Sequence, residues 1–214
     1  MKLTLAYSPS ACSLVPYILL TEAGADFDIL PVNLGKNENN SPEYLRLNPK
    51  GKVPALIING APLTENVAIQ IWIARQFPLA KLLPTDDMDY VRAISVMAWC
   101  AAGIHPKLTQ QARPERYCDL EGAPDNVRAH GAHSLAEMLA VANDMLAGRE
   151  WFFDAFSCAD AYFYWCFRRS TMFKPDLSGF THCVAHMKRM EQRPSVKKLL
   201  AFEAQVKAQF SKAA

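Results

Sequence analysis

The stretch that decides the fold runs over residues 2–24 and reads KLTLAYSPSACSLVPYILLTEAG. Lys2–Tyr7 alternates polar and apolar residues as a short strand does, and Ser8–Ala11 has the composition of a loop. A helix is predicted over Ser13–Gly24, with a proline in its tolerant first turn and a glycine at its end. The segment therefore reads as strand, loop and helix, with Cys12 where the loop meets the helix.

The segments that follow extend this unit to about residue 80. The sequence predicts a strand, a short helical turn, a hairpin closed by Asn59-Gly60 and a final helix, at Phe27–Asn33, Pro42–Leu47, Val53–Ile58 with Pro62-Leu63, and Thr64–Phe77. The order βαβ followed by ββα is that of a thioredoxin-like sheet. Residues 1–80 are therefore predicted to form a thioredoxin-like α/β domain.

After a boundary near Pro78–Pro84 the periodicity is almost wholly helical, so residues 86–214 are predicted to form an all-α helical-bundle domain. The predicted helices are Asp87–Gln111, Pro124–Ala147, Cys158–Thr171, Phe180–Arg193 and Ser195–Gln209. Ser157 and Asp160 form a capping box before the third of them, a feature that stabilises the helix. The aromatic run Tyr162–Phe167 is interpreted as core, with one or two members available to line a pocket.

The composition is that of an ordinary globular protein. Half of the 214 residues are hydrophobic, 21% are charged, and the net charge is +2, which excludes extended disorder and a nucleic-acid-type basic field. No apolar run approaches the roughly 20 residues that span a bilayer. The amino terminus lacks an export signal and the six cysteines form no C-x-x-C pair, so we expect reduced thiols in the cytoplasm.

Cys12 is the first candidate for chemistry, because it precedes a helix whose free N–H groups and dipole favour an anion. This position predicts a lowered thiol pKa. Val15 stands where a thioredoxin has its second cysteine, so an internal dithiol cycle is not available. The neighbouring Ser13 is either the helix cap or a hydrogen-bond donor to the thiolate. The alternative for Cys12, and the favoured reading of the other five cysteines, is a small buried apolar residue.

Two further segments suit a peptide-like ligand with a free amino-acid end. Val53-Pro54 opens a strand where a thioredoxin-like fold places a cis peptide, which would present the Val53 backbone to an extended peptide. Thr64-Glu65-Asn66 starts a helix, where amides hold a carboxylate and Glu65 can hold an ammonium. A trans proline and ordinary helix capping are the alternatives at the two segments.

Together, YSPSACSL (7–14), NPKGKVPAL (48–56) and LTENVAI (63–69) resemble the cytosolic glutathione transferases, most closely the bacterial beta class. The resemblance covers essentially the whole chain. It implies that Val53, beside Pro54, pairs with the cysteinyl backbone of glutathione and that Glu65 and its neighbour bind the γ-glutamyl end. That neighbour is Asn66 here, where relatives often have Ser or Gly, so side-chain contacts at this position can differ.

The resemblance also implies the residues around the glutathione sulfur. Cys12 corresponds to the residue that faces the sulfur and can form a mixed disulfide with it, and His105 to a histidine near it. His105 shares a helix face with apolar residues, so a satisfied core histidine is the alternative; Pro106 after it is expected to kink the helix and free the Ala102 carbonyl. Lys36 and Lys52 are candidates to bind the glycyl carboxylate of glutathione, and the alternative is that both are ordinary solvated surface lysines. Lys107 could add positive charge over the same cleft.

The leading hypothesis is therefore a glutathione transferase that binds glutathione as co-substrate, activates its thiolate through Cys12, Ser13 and His105, and conjugates it to a small hydrophobic electrophile. The alternatives are a glutathione-dependent thiol-disulfide oxidoreductase or peroxidase using Cys12, and a non-catalytic glutathione- or ligand-binding protein. We expect a homodimer active in detoxification, no tightly bound cofactor, and neither nucleic acid nor membrane as partner. His130/His133 and Cys183/His186 offer two ligands each where zinc needs more, so no metal is expected.

Overall fold

The computed structural model describes residues 1–212 and begins with a four-stranded sheet. The strands are β1 (Leu3–Tyr7), β2 (Asp28–Pro31), β3 (Ala55–Ile58) and β4 (Ala61–Thr64), in the spatial order β2-β1-β3-β4. β1 runs parallel to β2 and antiparallel to β3, and β3 and β4 form the hairpin around Asn59-Gly60. This mixed sheet confirms the predicted thioredoxin-like topology.

Three helices accompany the sheet: α1 (Leu14–Glu22), α2 (Pro42–Leu47) and α3 (Asn66–Gln76). Leu14–Leu20 of α1 is buried throughout, because this helix packs against β1 of the sheet and against α3. Short 3₁₀ turns occupy Leu34–Lys36, Glu38–Asn40 and Pro78–Ala80. The sheet thereby carries the Cys12 loop at the end of β1 and the Val53-Pro54 segment at the start of β3.

The later part of the described chain is helical, as predicted. Its helices are α4 (Asp87–Trp99), α5 (His105–Ala112), α6 (Ala123–Met145), α7 (Cys158–Thr171), α8 (Thr181–Gln192) and α9 (Pro194–Lys212). The single helix expected over Asp87–Gln111 is interrupted by a π-helical stretch, Cys100–Ile104. Pro106, the second residue of α5, has no N–H for the helix ladder, which accounts for a break at this place. No helix within residues 1–212 combines the length and apolar character that crossing a membrane would require.

The described chain divides into two compact units, and the last helix lies in the first of them. The first unit contains Met1–Leu83 and the chain from Glu191 onward; the second is Pro84–Met190. Phe202 of α9 stacks on Tyr17 of α1 with ring centroids 5.2 Å apart, and Arg193 forms an ion pair with Glu22 at 2.8 Å. The predicted division at residues 1–80 and 86–214 assigned this helix to the helical domain, and the difference arises because its apolar face and its first turn pack on α1.

The second unit has its own buried polar cluster at the start of α7. The Ser157 N–H donates to Asp160 Oδ2 at 2.9 Å, which confirms the predicted capping box. Asp160 Oδ1 accepts from the Phe152 N–H at 3.0 Å and lies 3.1 Å from His186 Nε2. The Tyr162–Phe167 run is buried on α7, as its interpretation as core required. Each carboxylate oxygen of Asp160 thus has a partner, which a buried charge needs.

Candidate active site

The loop between β1 and α1 carries Cys12 and is held at several points along its main chain. The Ser13 hydroxyl accepts from the Ser8 N–H at 3.0 Å and donates to the Ser8 carbonyl at 3.1 Å. The Ser10 N–H donates to the buried Glu203 carboxylate of α9 at 3.0 Å, and Ser10 itself has a positive φ of 61°. These contacts fix the backbone that precedes α1.

The Cys12 side chain is buried and protonated. Its relative exposure is 7%, and its Sγ donates to the Val53 carbonyl at 3.5 Å. Burial raises the pKa of the Cys12 thiol to about 12, although a side-chain hydrogen bond from Asn66 acts in the opposite direction. The predicted lowering of this pKa is therefore wrong, because removal of the thiolate from water outweighs the favourable position before α1. The placement of Cys12 between β1 and α1, by contrast, is as predicted.

The Ser13 hydroxyl is hydrogen-bonded within the loop that precedes α1. It is fully buried, its hydroxyl both donates to and accepts from Ser8, and it makes no side-chain cap to α1 although it holds the N-cap position. The interpretation of Ser13 as a side-chain helix cap is therefore wrong, and its hydroxyl hydrogen is directed at the Ser8 carbonyl. Ser13 shapes the Cys12 loop because its hydroxyl bonds the main chain five residues earlier.

The Val53-Pro54 peptide bond is cis, as a thioredoxin-like fold implies, and the alternative of a trans proline is wrong. Two side chains from α2 and the residue after it hold the segment that leads into it. The Tyr44 hydroxyl and Asn48 Nδ2 both donate to the Lys52 carbonyl, at 2.6 and 2.7 Å. This support places the Val53 carbonyl against the Cys12 thiol, so two of the three motif segments meet at this point.

Glu65 precedes the first turn of α3 and projects into solvent. Its φ is +70°, a left-handed value that is uncommon for a residue with a side chain. Lys50 Nζ lies 2.6 Å from Glu65 Oε1 and donates to Thr64 Oγ1 at 3.0 Å. Lys50 therefore already places an ammonium group on the carboxylate to which the resemblance assigns a ligand's ammonium.

Asn66 begins α3 but points into the unit rather than toward solvent. Its Nδ2 donates to the Cys12 carbonyl at 2.8 Å, and its Oδ1 accepts from Gln70 Nε2 at 3.1 Å. Asn66 and Gln70 are both buried. The third motif segment is thus connected to the first through the main chain of Cys12.

The remaining predicted residues are placed differently. The side chains of Lys36 and Lys52 are exposed in the first unit, Lys36 at the end of a 3₁₀ turn. His105 and Lys107 belong to α5 of the second unit, where the His105 ring packs against Trp165 of α7 with centroids 4.4 Å apart. His105 is the first residue of α5 after the π-helical stretch.

Four residues contribute to this region without having been predicted to do so. Lys50 and Asn48 lie inside the NPKGKVPAL segment. The charge of Lys50 and the amide group of Asn48 were the features of the sequence that could have indicated their contacts. Gln70 stands four residues after Asn66, the spacing of neighbours on one helix face. Glu203 gave no local signal, since it contacts a residue 193 positions away.

In the two sequence patterns considered for metal binding, His130/His133 and Cys183/His186, three of the four side chains have protein partners. Cys183 Sγ lies 3.7 Å from the Leu139 carbonyl, His186 contacts Asp160, and His133 lies 3.4 Å from Glu137. Within residues 1–212, no group of three or more His, Cys, Asp and Glu side chains is arranged to hold a metal ion.

A thioredoxin-like unit with these three segments, followed by a helical region, defines the architecture of glutathione transferases. The family model for the glutathione S-transferase N-terminal domain matches residues 1–75. Glutathione S-transferase GstA of Escherichia coli O157:H7 is 34% identical over 203 residues, which cover 93% of this chain and 98% of the relative.

Solved structures give the same result. A glutathione transferase homologue from Sulfitobacter with bound glutathione has a TM-score of 0.89 at 25% identity, covering 94% of this chain and 97% of the other. The beta-class glutathione S-transferase of Sphingomonas chungbukensis has a TM-score of 0.83 at 33% identity, covering 94% and 98%. The chain belongs to the glutathione S-transferase family and is a glutathione transferase, and its resemblance to the bacterial beta class is confirmed.

Proposed function

We propose that the first unit binds glutathione along the segments around Cys12, Val53 and Glu65, and that the chain transfers the glutathione thiolate to a small hydrophobic electrophile. The observation that carries this proposal is the meeting of the three segments: Cys12 Sγ lies 3.5 Å from the Val53 carbonyl, and Asn66 donates to the Cys12 carbonyl at 2.8 Å. Binding both reactants replaces a bimolecular encounter, and ionisation of the bound thiol supplies the nucleophile.

Each part of glutathione has a proposed partner. The Val53 backbone pairs with the cysteinyl residue, with the cis Pro54 after it. The Glu65 carboxylate takes the γ-glutamyl ammonium, and the first amides of α3, beginning with Asn66, take its carboxylate. Lys50 contacts Glu65 Oε1 at 2.6 Å, so the ligand's ammonium either replaces the Lys50 ammonium or binds the other carboxylate oxygen.

The glycyl carboxylate is assigned to Lys36 or Lys52. Both are exposed lysines of the first unit, which makes them accessible to a ligand carboxylate.

Catalysis at the sulfur is assigned to Cys12 and His105. The support for Cys12 is its contact with Val53, the proposed partner of the cysteinyl residue. The support for His105 is the family resemblance and its position at the start of α5. We do not retain Ser13 as a donor, because its hydroxyl is bonded to Ser8.

The test is conjugation of glutathione to 1-chloro-2,4-dinitrobenzene, followed by a broad panel of electrophiles. We expect saturable conjugation that depends on glutathione, and a loss of kcat in His105→Ala. Absence of activity with every electrophile, together with no retention on glutathione-agarose, would overturn the proposal. That result would favour a non-catalytic protein that binds a ligand other than glutathione.

Thiol-disulfide or peroxide reduction through Cys12 is the second candidate. The contact of Cys12 Sγ with the Val53 carbonyl favours it, since a cysteinyl group paired with Val53 brings a second sulfur close to Cys12. The Cys12 thiolate would attack one sulfur of a disulfide substrate, so that a mixed disulfide forms and the other sulfur leaves as a thiolate, and a glutathione thiolate would then displace Cys12 from the mixed disulfide. Cys12→Ala separates the two activities: reductase activity disappears, whereas conjugation persists at least in part.

Three further properties are proposed from the family: a homodimer, a cytoplasmic location and a role in detoxification. Exposed apolar side chains on α4, among them Met88 and Val91, support an association surface. Sedimentation analysis tests the dimer. We also propose that residues 1–80 form the glutathione-binding domain and that the electrophile pocket is supplied from residues 86–214, although α9 of this range packs with the first unit. Glutathione is the proposed co-substrate, with no tightly bound cofactor.

A further inference from the structure

Two buried side chains meet at one main-chain oxygen immediately before Val53. The Tyr44 hydroxyl donates to the Lys52 carbonyl at 2.6 Å, and Asn48 Nδ2 donates to the same carbonyl at 2.7 Å. Tyr44 and Asn48 are both buried, whereas the side chain of Lys52 is exposed. A carbonyl oxygen has two lone pairs, so these two donors together use both of them.

The plane of the peptide carries this restraint from Lys52 to Val53. The Lys52 carbonyl and the Val53 N–H belong to one peptide unit, which is planar and trans. In a trans peptide the N–H points away from the C=O, so hydrogen bonds that hold the oxygen also set the direction of the Val53 N–H. Two donors on the oxygen polarise the peptide as well, which makes its N–H a stronger hydrogen-bond donor.

The two donors are themselves held in place. The Tyr44 ring lies in a small buried core that includes Ala55 of β3, and Val53 packs against this core. Asn48 Oδ1 accepts from the Lys50 N–H at 3.2 Å, so both ends of its carboxamide are used. Burial raises the pKa of Tyr44 to about 12, although a hydrogen bond with Asn48 acts in the opposite direction. The hydroxyl therefore keeps the proton that it donates at neutral pH.

We propose that Tyr44 and Asn48 are positioning residues for the ligand: through the Lys52 carbonyl they orient the Val53 N–H and strengthen it as a donor to the ligand's backbone. This use of the N–H rests on the proposed function, which assigns the cysteinyl residue of glutathione to the Val53 backbone. The orientation of the N–H in the free protein does not rest on it. Both side chains act on the Lys52 carbonyl, so their loss should change the affinity for glutathione rather than the chemical step.

The first experiment measures the Kd for glutathione by isothermal titration calorimetry, and KM and kcat by conjugation to 1-chloro-2,4-dinitrobenzene. Tyr44→Phe keeps the ring in its core and removes only the hydroxyl. We expect it to raise Kd and KM for glutathione about three- to ten-fold, as the loss of one hydrogen bond would, and to leave kcat within about two-fold of wild type. A purely structural role would lower stability without this division between KM and kcat.

The second experiment needs no ligand, since it records the amide resonance of Val53 in protein labelled with ¹⁵N-valine. The resonance is assigned by its loss in Val53→Ile. Weaker polarisation of the peptide in Tyr44→Phe should move the Val53 amide nitrogen upfield. Asn48→Ala removes the other donor and is expected to act in the same direction in both experiments. It serves as the second variant if Tyr44→Phe folds poorly by circular dichroism.

Tyr17→Phe is the matched control, because it removes the hydroxyl of another buried tyrosine in the same unit, whose ring packs on Phe27 and Phe202. Its Kd, KM and Val53 resonance should equal those of the wild type. An unchanged affinity in the folded Tyr44 and Asn48 variants would overturn the proposal, as would an equal loss in Tyr17→Phe. If the wild type binds no glutathione, the proposed function fails and the Val53 resonance decides the assignment: a shift confined to the Tyr44 and Asn48 variants supports it, and an unchanged resonance overturns it.

Discussion

Cys12 and Glu65 belong to the same proposed glutathione site, yet their surroundings are opposite. Cys12 is 7% exposed, and the main chain of its loop is fixed by hydrogen bonds with the side chains of Ser13, Asn66 and Glu203. The Glu65 side chain is 69% exposed and is held by an ion pair with Lys50, which is itself half exposed. Exposed ion pairs contribute only about 0–1 kcal/mol, so the Glu65 contact is easily exchanged for a ligand.

This difference separates two tasks within one site. The exposed carboxylate can change partner when a ligand arrives, because little free energy holds it to Lys50. The buried loop is held by hydrogen bonds within its own unit, and its burial makes the Cys12 thiolate hard to form. Variants on the exposed side should therefore change affinity, and variants on the buried side should change stability and ionisation.

The largest effect is expected for Glu65→Ala. Loss of a hydrogen-bonded charge of about 1.5–3 kcal/mol should raise the KM for glutathione roughly ten- to a hundred-fold. The melting temperature should hardly change, because the ion pair with Lys50 is exposed. Steady-state kinetics and thermal unfolding measure the two quantities.

Glu43→Ala is the control for Glu65→Ala, since Glu43 also forms an exposed ion pair, with Arg46 at 3.6 Å. It should leave both KM and melting temperature unchanged. A loss of stability in Glu65→Ala without a change in KM would contradict the assigned division of tasks.

A smaller effect, on the buried side, is expected for Ser13→Ala. The Ser8 N–H would lose its hydroxyl acceptor, and an unsatisfied buried donor costs about 1–3 kcal/mol. Urea unfolding should show this loss of stability. Thr21→Val in the same helix should stay within about 0.5 kcal/mol of wild type, because Thr21 only adds a bond to the Tyr17 carbonyl within α1.

The smallest effect concerns alkaline pH. Burial raises the pKa of Cys12 from 9.0 to about 12, so above pH 9 the unfolded chain releases a proton that the folded chain keeps. Stability from this group is fully present below pH 9 and is lost as the pH rises toward 12. Between pH 8 and 10 the wild type should lose about 1 kcal/mol more than Cys12→Ala. Urea unfolding at both pH values measures the two losses; equal losses would mean that Cys12 ionises as easily in the folded protein as in the unfolded chain.

The sequence was informative where structure is set by neighbours in the chain. The β1–loop–α1 order, the hairpin and the capping box at Ser157 follow from alternation, turn residues and cap spacing. The cis bond at Val53-Pro54 followed from the expected fold. The Cys12 pKa could not be predicted in the same way, because the residues that bury the thiol come from distant parts of the chain.

The same limit applies to the contacts of the site. Cys12 meets Val53 across 41 residues and Asn66 across 54. The motifs identified these residues, but not the direction of their hydrogen bonds. The contact between Ser10 and Glu203, and with it the placement of α9 in the first unit, has no counterpart in any local pattern.

The placement of α9 has a consequence for the order of synthesis. Glu22 is added to the growing chain more than 170 residues before its partners Arg193 and Ser195, and Tyr17 is likewise added more than 170 residues before Phe202. Burial of Glu22 disfavours its charge, and the hydrogen bonds from Arg193 and Ser195 more than offset this, so that its pKa lies below the ordinary value. The packing around α1 is therefore completed only by a helix that is translated more than 170 residues later.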